Sequence, residues 1–259
     1  MAGRVATGDF PEGVAVVAGG SGGIGAGICE VLAERGSAVA VLYHKAEARA
    51  LALVEALWAA GSVAEAYQLD LTNAGATADL MAEIATRFGR IHTGVYAAGP
   101  TIAVEYAAKL APSDFAAHLS GDAGACFNLV HALLPHMREK GGGALVAVTT
   151  DQLHAPELKG VLSSAAKAAV EKLFEALAKE EARYNIRTFT VRPGWIDAGG
   201  GASILAAKKP EVLEKLIAAI PMRRVGEPRE IGEAVAFLAS SRASYITGIS
   251  LSVNGGRHL

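Results

Sequence analysis

The stretch VAVVAGGSGGIGAGICEVLAERG, Val14 to Gly36, decides the fold. An apolar run leads into Gly19, Gly23 and Gly25, and a helical pattern follows at once. Glycines let a backbone turn tightly and approach a pyrophosphate, while free N–H groups at a helix start favour its negative charge. A glycine triplet alone says little, but a strand before it and a helix after it make a nucleotide-binding turn. Outward from this stretch, short apolar runs alternate with longer amphipathic segments. Strands are expected at residues 14–17, 38–43, 63–69, 91–97, 144–149, 187–191 and 249–253. Helices are expected at 24–35, 46–60 and 76–88, followed by two longer ones at 112–140 and 163–184. Strands apolar on both faces and joined by helices imply a parallel sheet with right-handed crossovers. No internal repeat or linker-like break interrupts the chain. Residues 1–259 are therefore expected to form one α/β domain, a Rossmann-type doubly wound parallel sheet of about seven strands flanked by helices.

Segment 198–220 departs from this rhythm: AGGGAS is flexible, and ILAAKKPEVLEKLIAAI reads as a helix interrupted by Pro210. Such an excursion suits a mobile lid over a substrate site, with an ordinary surface insertion as the alternative. The chain is 51% hydrophobic and only 19% charged, which argues against disorder and points to extensive burial, subunit contacts included. A net charge of −2 supplies no basic field for nucleic acid. No apolar run reaches the length of a membrane span, and the N-terminal MAGRVATGDFPEG is too polar for a signal peptide. Cys29 and Cys126 fall in apolar helical patterns, so no disulfide is expected and a reducing cytoplasm is the natural compartment. No metal site is expected.

The glycine spacing is G-x-x-x-G-x-G, not the commoner dinucleotide G-x-G-x-x-G. With AGGSGGIG at 18–25 go LDL at 69–71, AAG at 97–99, RPGWID at 192–197, YITG at 245–248 and VNGG at 253–256. In this ordered set the chain resembles the short-chain dehydrogenase/reductase family over nearly its whole length, and looks most like the ketoacyl-reductase-type branch. The resemblance implies an oxidoreductase using a nicotinamide cofactor on a small carbonyl, enone or acyl-type substrate, assembled as a homotetramer or homodimer. It implies cofactor contacts from Gly19, Ser21, Gly22, Gly23, Ile24 and Gly25, and from Asp70 and Leu71 on the adenine side. Ala97, Ala98 and Gly99 follow the fourth strand, and Pro193, Gly194 and Ile196 belong near the nicotinamide.

Cofactor choice turns on the end of the second strand, where an NAD enzyme usually offers a carboxylate to the ribose 2′-hydroxyl. Here Tyr43, His44 and Lys45 stand there, with no acid before Glu47. His44 and Lys45 suit a 2′-phosphate, so NADP(H) is favoured and NAD(H) is the alternative. Gly22 stands where NADP-using relatives often carry arginine.

The family's catalytic tetrad is asparagine, serine, tyrosine and lysine. Lys167, followed by AAVEKL, matches the lysine, which by resemblance holds the cofactor ribose and lowers the tyrosine pKa. Four residues before it stands Ser163 in place of tyrosine, and thirteen before that Thr150, which keeps the serine's hydroxyl. The asparagine position falls on Asp122 or on Gly121, depending on which neighbour anchors the count. An aliphatic hydroxyl is a far weaker acid than a phenol of pKa about 10, so Ser163 is a poor stand-in. A positioned general acid contributes roughly 10²–10⁴-fold, and holding the reactants together contributes separately. Its loss therefore slows reduction without abolishing it. The proton is expected from water, from the substrate, or from His154 on the loop after Thr150, with Asp151 and Tyr106 as further pocket candidates. The second reading is a catalytically inactive nucleotide-binding member, acting as a cofactor sensor or an assembly subunit.

Overall fold

The computed structural model describes residues 9–259; the polar reading of the first eight residues lies outside them. Seven strands carry the apolar runs: β1 (Val14–Ala18), β2 (Ala38–Tyr43), β3 (Ala64–Gln68), β4 (Ile91–Tyr96), β5 (Gly143–Val148), β6 (Ile186–Pro193) and β7 (Ile249–Val253). All neighbours pair in parallel, in one sheet of order β3-β2-β1-β4-β5-β6-β7. Every strand thus stands within two residues of where the sequence puts it, and β6 runs on into Pro193.

Because strand side chains alternate, the sheet feeds two cores. Ala15 and Val17 pack with Ile28 and Leu32 of α1 (Gly23–Glu34), Leu53 of α2 (Glu47–Ala59) and Val235 of α9 (Pro228–Ala239). Val14 and Val16 pack on the other face with Met81 of α3 (Ala74–Phe88), Leu129 of α5 (Ala125–Glu139) and Phe174 of α6 (Val161–Glu181). Helices α1 and α9 touch at glycines: a Cβ at Gly232 would stand 2.5 Å from the Gly27 carbonyl oxygen.

Three expectations need correction. The helix expected at 112–140 is broken into α4 (Pro112–Leu119), a π-helical turn at Ser120–Gly124, and α5. Gly121 and Gly124 weaken the α-helical preference there, and π-turns of this kind gather at functional sites. The helix expected from residue 163 begins at Val161, so Ser163 lies in its first turn. Residues 198–220 form two helices, α7 (Gly199–Ala206) and α8 (Pro210–Ala219). Pro210 starts the second of them, where its missing N–H breaks no hydrogen bond.

The order of the sheet reverses between β1 and β4, where the Ala97 amide donates to the Ala18 carbonyl at 2.9 Å. Doubly wound sheets bind their ligands in the crevice outside the carboxyl ends of the strands at such a point.

Candidate active site at the strand switch point

A cleft of about 650 Å³ opens at that reversal. Its walls include Gly19, Ser21 and Gly22 from the turn after β1, and Ala97, Ala98 and Gly99 from the loop after β4. Gly19 has φ +78, and a Cβ on it would stand 2.6 Å from the Ala97 carbonyl oxygen. A side chain on Gly25 would overlap the Gly19 carbonyl, so this glycine lets α1 close down on the turn. Gly22 caps α1 without a side chain, and the N–H groups of Gly23, Ile24 and Gly25 have no partner among the described residues. They are the orphan donors of a helix start, close to the cleft.

At the far end of the cleft stand Tyr43, His44, Lys45, Asp70 and Leu71, joined by Arg49, which the sequence analysis did not single out. Arg49 lies in the first turn of α2, four residues after Lys45, which precedes the helix, and both line the cleft. The Tyr43 hydroxyl donates to Glu47 Oε1 at 3.2 Å. Asp70 accepts from the Thr72 hydroxyl at 2.7 Å and its amide at 3.0 Å, and these bonds hold its carboxyl below the usual range. His44 Nε2 lies 3.9 Å from it. The basic groups thus outnumber the acid at this end.

Behind the cleft wall of Tyr96 to Gly99 and Gly121, β4 and the π-turn meet α6. Lys167 donates to Asp122 Oδ1 at 2.9 Å and to the Ala98 carbonyl at 3.1 Å, with its ammonium 5.0 Å from the centre of the Tyr96 ring. The Tyr96 hydroxyl donates to Asp122 Oδ1 at 3.0 Å and to the Asp122 carbonyl at 2.9 Å. Asp122 is 2% exposed and Lys167 9%, so the ion pair is a buried one. Burial, followed by the nearby Asp122 carboxylate, pushes the Tyr96 phenol far above its ordinary value, which keeps it a hydrogen-bond donor. The π-turn settles which residue faces the lysine: it is Asp122. Gly121 lines the cleft instead. A Cβ on Gly99 would stand 3.6 Å from both Asp122 Oδ2 and Lys167 Nζ, so the pair reaches the cleft past a glycine.

Ser163, a buried residue, precedes Lys167 by one turn of α6. Thr150 lies two residues past β5 and accepts from the Gln152 amide at 3.3 Å, capping the short turn at Asp151–Leu153. His154 is exposed, and its ring meets Arg192 and, at 5.5 Å, His258. Arg192 in turn donates to Glu171 Oε1 at 2.7 Å and Oε2 at 2.5 Å. Glu171, four residues after Lys167 on α6, is buried and also accepts from the Thr149 hydroxyl at 2.8 Å. That buried bidentate pair escaped the sequence analysis, although the four-residue spacing from Lys167 was there to be read. Tyr106 is exposed beneath Lys159, whose ammonium lies 4.8 Å from the ring centre. Gly194 is pressed against Asn254, and Ile196 lines a second cavity of about 320 Å³ with Trp195, Met222 and His258. The 650 Å³ cleft therefore gathers the start of the glycine turn and the β2, β3 and β4 ends, while Ser163 and Lys167, Thr150 and His154, Gly23 to Gly25, and Pro193, Gly194 and Ile196 lie outside its lining.

Fold and site define a doubly wound α/β protein whose cleft lies at the switch point of a parallel sheet. The family model described as enoyl-(acyl carrier protein) reductase matches residues 18–258. The acetoacetyl-CoA reductase of Rhizobium meliloti is 34% identical over 246 residues, covering 95% of this chain and 98% of that protein. The cis-4-hydroxycyclohexanecarboxylate dehydrogenase of Sinomonas cyclohexanicum is 37% identical over 254 residues, covering 95% and 97%. Among solved structures, a 7α-hydroxysteroid dehydrogenase complexed with NADH and 7-oxo glycochenodeoxycholic acid matches with a TM-score of 0.87 at 26% identity, covering 94% of this chain and 93% of the other. The chain belongs to the short-chain dehydrogenase/reductase family, a family of oxidoreductases.

Proposed function

We propose that the protein binds NADP(H) in the switch-point cleft and moves a hydride between it and a small carbonyl, enone or acyl-type substrate, without a tyrosine general acid. The observation that carries this reading is the cleft itself, with bare glycine backbone at one end and His44, Lys45 and Arg49 at the other. The chain fits the cofactor. The unpaired N–H groups of Gly23, Ile24 and Gly25 suit a pyrophosphate, and the basic rim suits a 2′-phosphate. Asp70 and Leu71 belong to the adenine side, Ala97, Ala98 and Gly99 to the ribose and nicotinamide side. The bound nicotinamide supplies or accepts the hydride. Thr150, Ser163 and Lys167 then stand as the chain's own groups toward the substrate oxygen.

Acyl substrates are favoured by the relatives: acetoacetyl-CoA reductases at 31–35% identity, and a 3-oxoacyl-[acyl-carrier-protein] reductase of Staphylococcus epidermidis at 30%. Segment 198–220 is proposed as the lid of the single domain. A Cβ on Gly23 would stand 2.7 Å from that of Ala198, so the segment starts against the glycine turn itself. The reading is tested by melting temperature. NADPH is expected to raise it more than NADH does, and equal shifts sink the cofactor assignment. Oxidation of NADPH by acetoacetyl-CoA, 3-oxoacyl thioesters, ketones and enones tests the activity. The inactive, cofactor-binding reading replaces it if Lys167→Ala oxidises NADPH as fast as the wild type with every substrate.

A further inference from the structure

Two glycines after β7 send the chain back toward the end of β5. Gly255 has φ +64 and Gly256 φ +82, left-handed values that glycine adopts without strain. Asn254 anchors the bend: its Oδ1 accepts from the Gly256 amide at 3.2 Å, and a Cβ on Gly194 would stand 2.7 Å from the Asn254 Cβ. The C-terminal tail thus starts against Gly194 and lays Arg257 on the loop after β5. Arg257 Nη1 donates to Asp151 Oδ2 at 2.6 Å, across 106 residues of sequence, and Nη2 donates to Glu157. The guanidinium lies 5.9 Å from the centre of the Trp195 ring, within reach of a cation–π contact.

Asp151 directly follows Thr150 and is 3% exposed. A carboxylate so buried needs a paired cation, and one left alone takes up a proton or moves toward water. The loop is built around this residue. The amides of His154 and Ala155 both donate to the Asp151 carbonyl, at 2.9 and 3.1 Å. The Gln152 amide donates to the Thr150 hydroxyl, and Gln152 Oε1 accepts from Ser164 of α6 at 3.4 Å. Where Asp151 sits therefore sets where Thr150 sits before it, and how the loop enters the helix that carries Ser163 and Lys167.

Resting on the oxidoreductase reading above, we infer that Arg257 is a positioning residue of the reaction: through Asp151 it holds the Thr150 hydroxyl in register with the substrate oxygen. The tail from Asn254 to Arg257 is a clasp on the loop between β5 and α6. Arg257 gives up no proton and acts only through the carboxylates it pairs. Asp151, which the sequence offers as a pocket candidate, is the group the clasp grips. Such a contact matters for rate because a reacting group displaced by about 1 Å costs up to about 10²-fold.

The test compares the wild type with Arg257→Gln and Arg257→Lys, using NADPH and acetoacetyl-CoA or, failing turnover, the fastest ketone of the panel above. In Arg257→Gln, kcat is expected to fall about tenfold or more, with KM and the NADPH Kd within about twofold of the wild type. Arg257→Lys keeps a cation against Asp151 and is expected to recover most of that loss. A lowered melting temperature with kcat unchanged marks a merely structural tie and overturns the inference. A rise in KM at constant kcat, or a loss that Arg257→Lys does not relieve, overturns it as well. Independently of turnover, amide hydrogen exchange over residues 151–160 is expected to quicken in Arg257→Gln while that of β5 does not; unchanged exchange overturns the clasp. If the wild type reduces no carbonyl substrate, the functional reading falls instead, and the exchange rates still decide whether the tail holds the loop.

Discussion

The ammonium of Lys167 is neutralised by Asp122 at 2.9 Å, on a carboxylate oxygen that also accepts from Tyr96. Charges taken out of water need such a partner, and a buried pair is far more sensitive to the loss of one member than of both. Asp122→Leu is therefore expected to destabilise the fold by about 3–5 kcal/mol in urea titration. Asp122→Leu combined with Lys167→Met should recover most of that loss. A double variant as unstable as the single one would contradict the pairing.

The basic rim of the cleft gives a second prediction. Lys45→Ala with Arg49→Ala should weaken NADPH binding by about tenfold or more, since hydrogen bonds to charged groups are worth about 1.5–3 kcal/mol. NADH binding should change by less than about twofold. Fluorescence titration of both dinucleotides checks this, and parallel losses for the two would assign the rim to something other than a 2′-phosphate.

In the proposed reading, Ser163 takes the place of the family's phenol. Ser163→Tyr is expected to raise kcat for ketone reduction about 10²-fold, the lower end of what a positioned general acid contributes. Unchanged turnover, with NADPH still bound, would mean that proton delivery does not limit the reaction.

His92 is buried between Ser37 and Thr93, with Phe10 stacked on its ring at 5.4 Å. Burial, with the charge of Arg90 assisting, holds its pKa down at about 3. An unfolded histidine titrates near 6.5. Between those values the unfolded chain binds the extra proton, so this contribution to stability is whole above pH about 6.5 and drains away on acidification. Unfolding free energy is expected to drop by about 2 kcal/mol from this residue between pH 7 and pH 5. His92→Gln should flatten that slope; a wild-type slope left intact in the variant would assign it to other groups.

Much of the fold was written locally. A strand of β-branched and small apolar residues, a turn that demands φ > 0 at Gly19, and a helix closed down by Gly25 are properties of neighbouring residues, and they read off the chain directly. So does Lys167, whose motif is continuous along α6. The boundaries were less legible: 112–140 carries one helical period, and nothing in that period announces a π-turn.

What faces Lys167 was a matter of tertiary structure. The partner lies 45 residues away in sequence, and each residue of a helix turns it by about 100°, so a one-residue difference in the count separates Asp122 from Gly121. The extra residue of the π-turn decides it. Arg49 and Arg257 follow the same logic, since one charge becomes a cleft wall, and the other the partner of Asp151, only through what packs beside it. The chain by itself determined a switch-point nucleotide fold with one conspicuous lysine. The close packing of β4, the π-turn and α6 determined that this lysine is paired with a carboxylate, because only there do distant residues share one low-dielectric space.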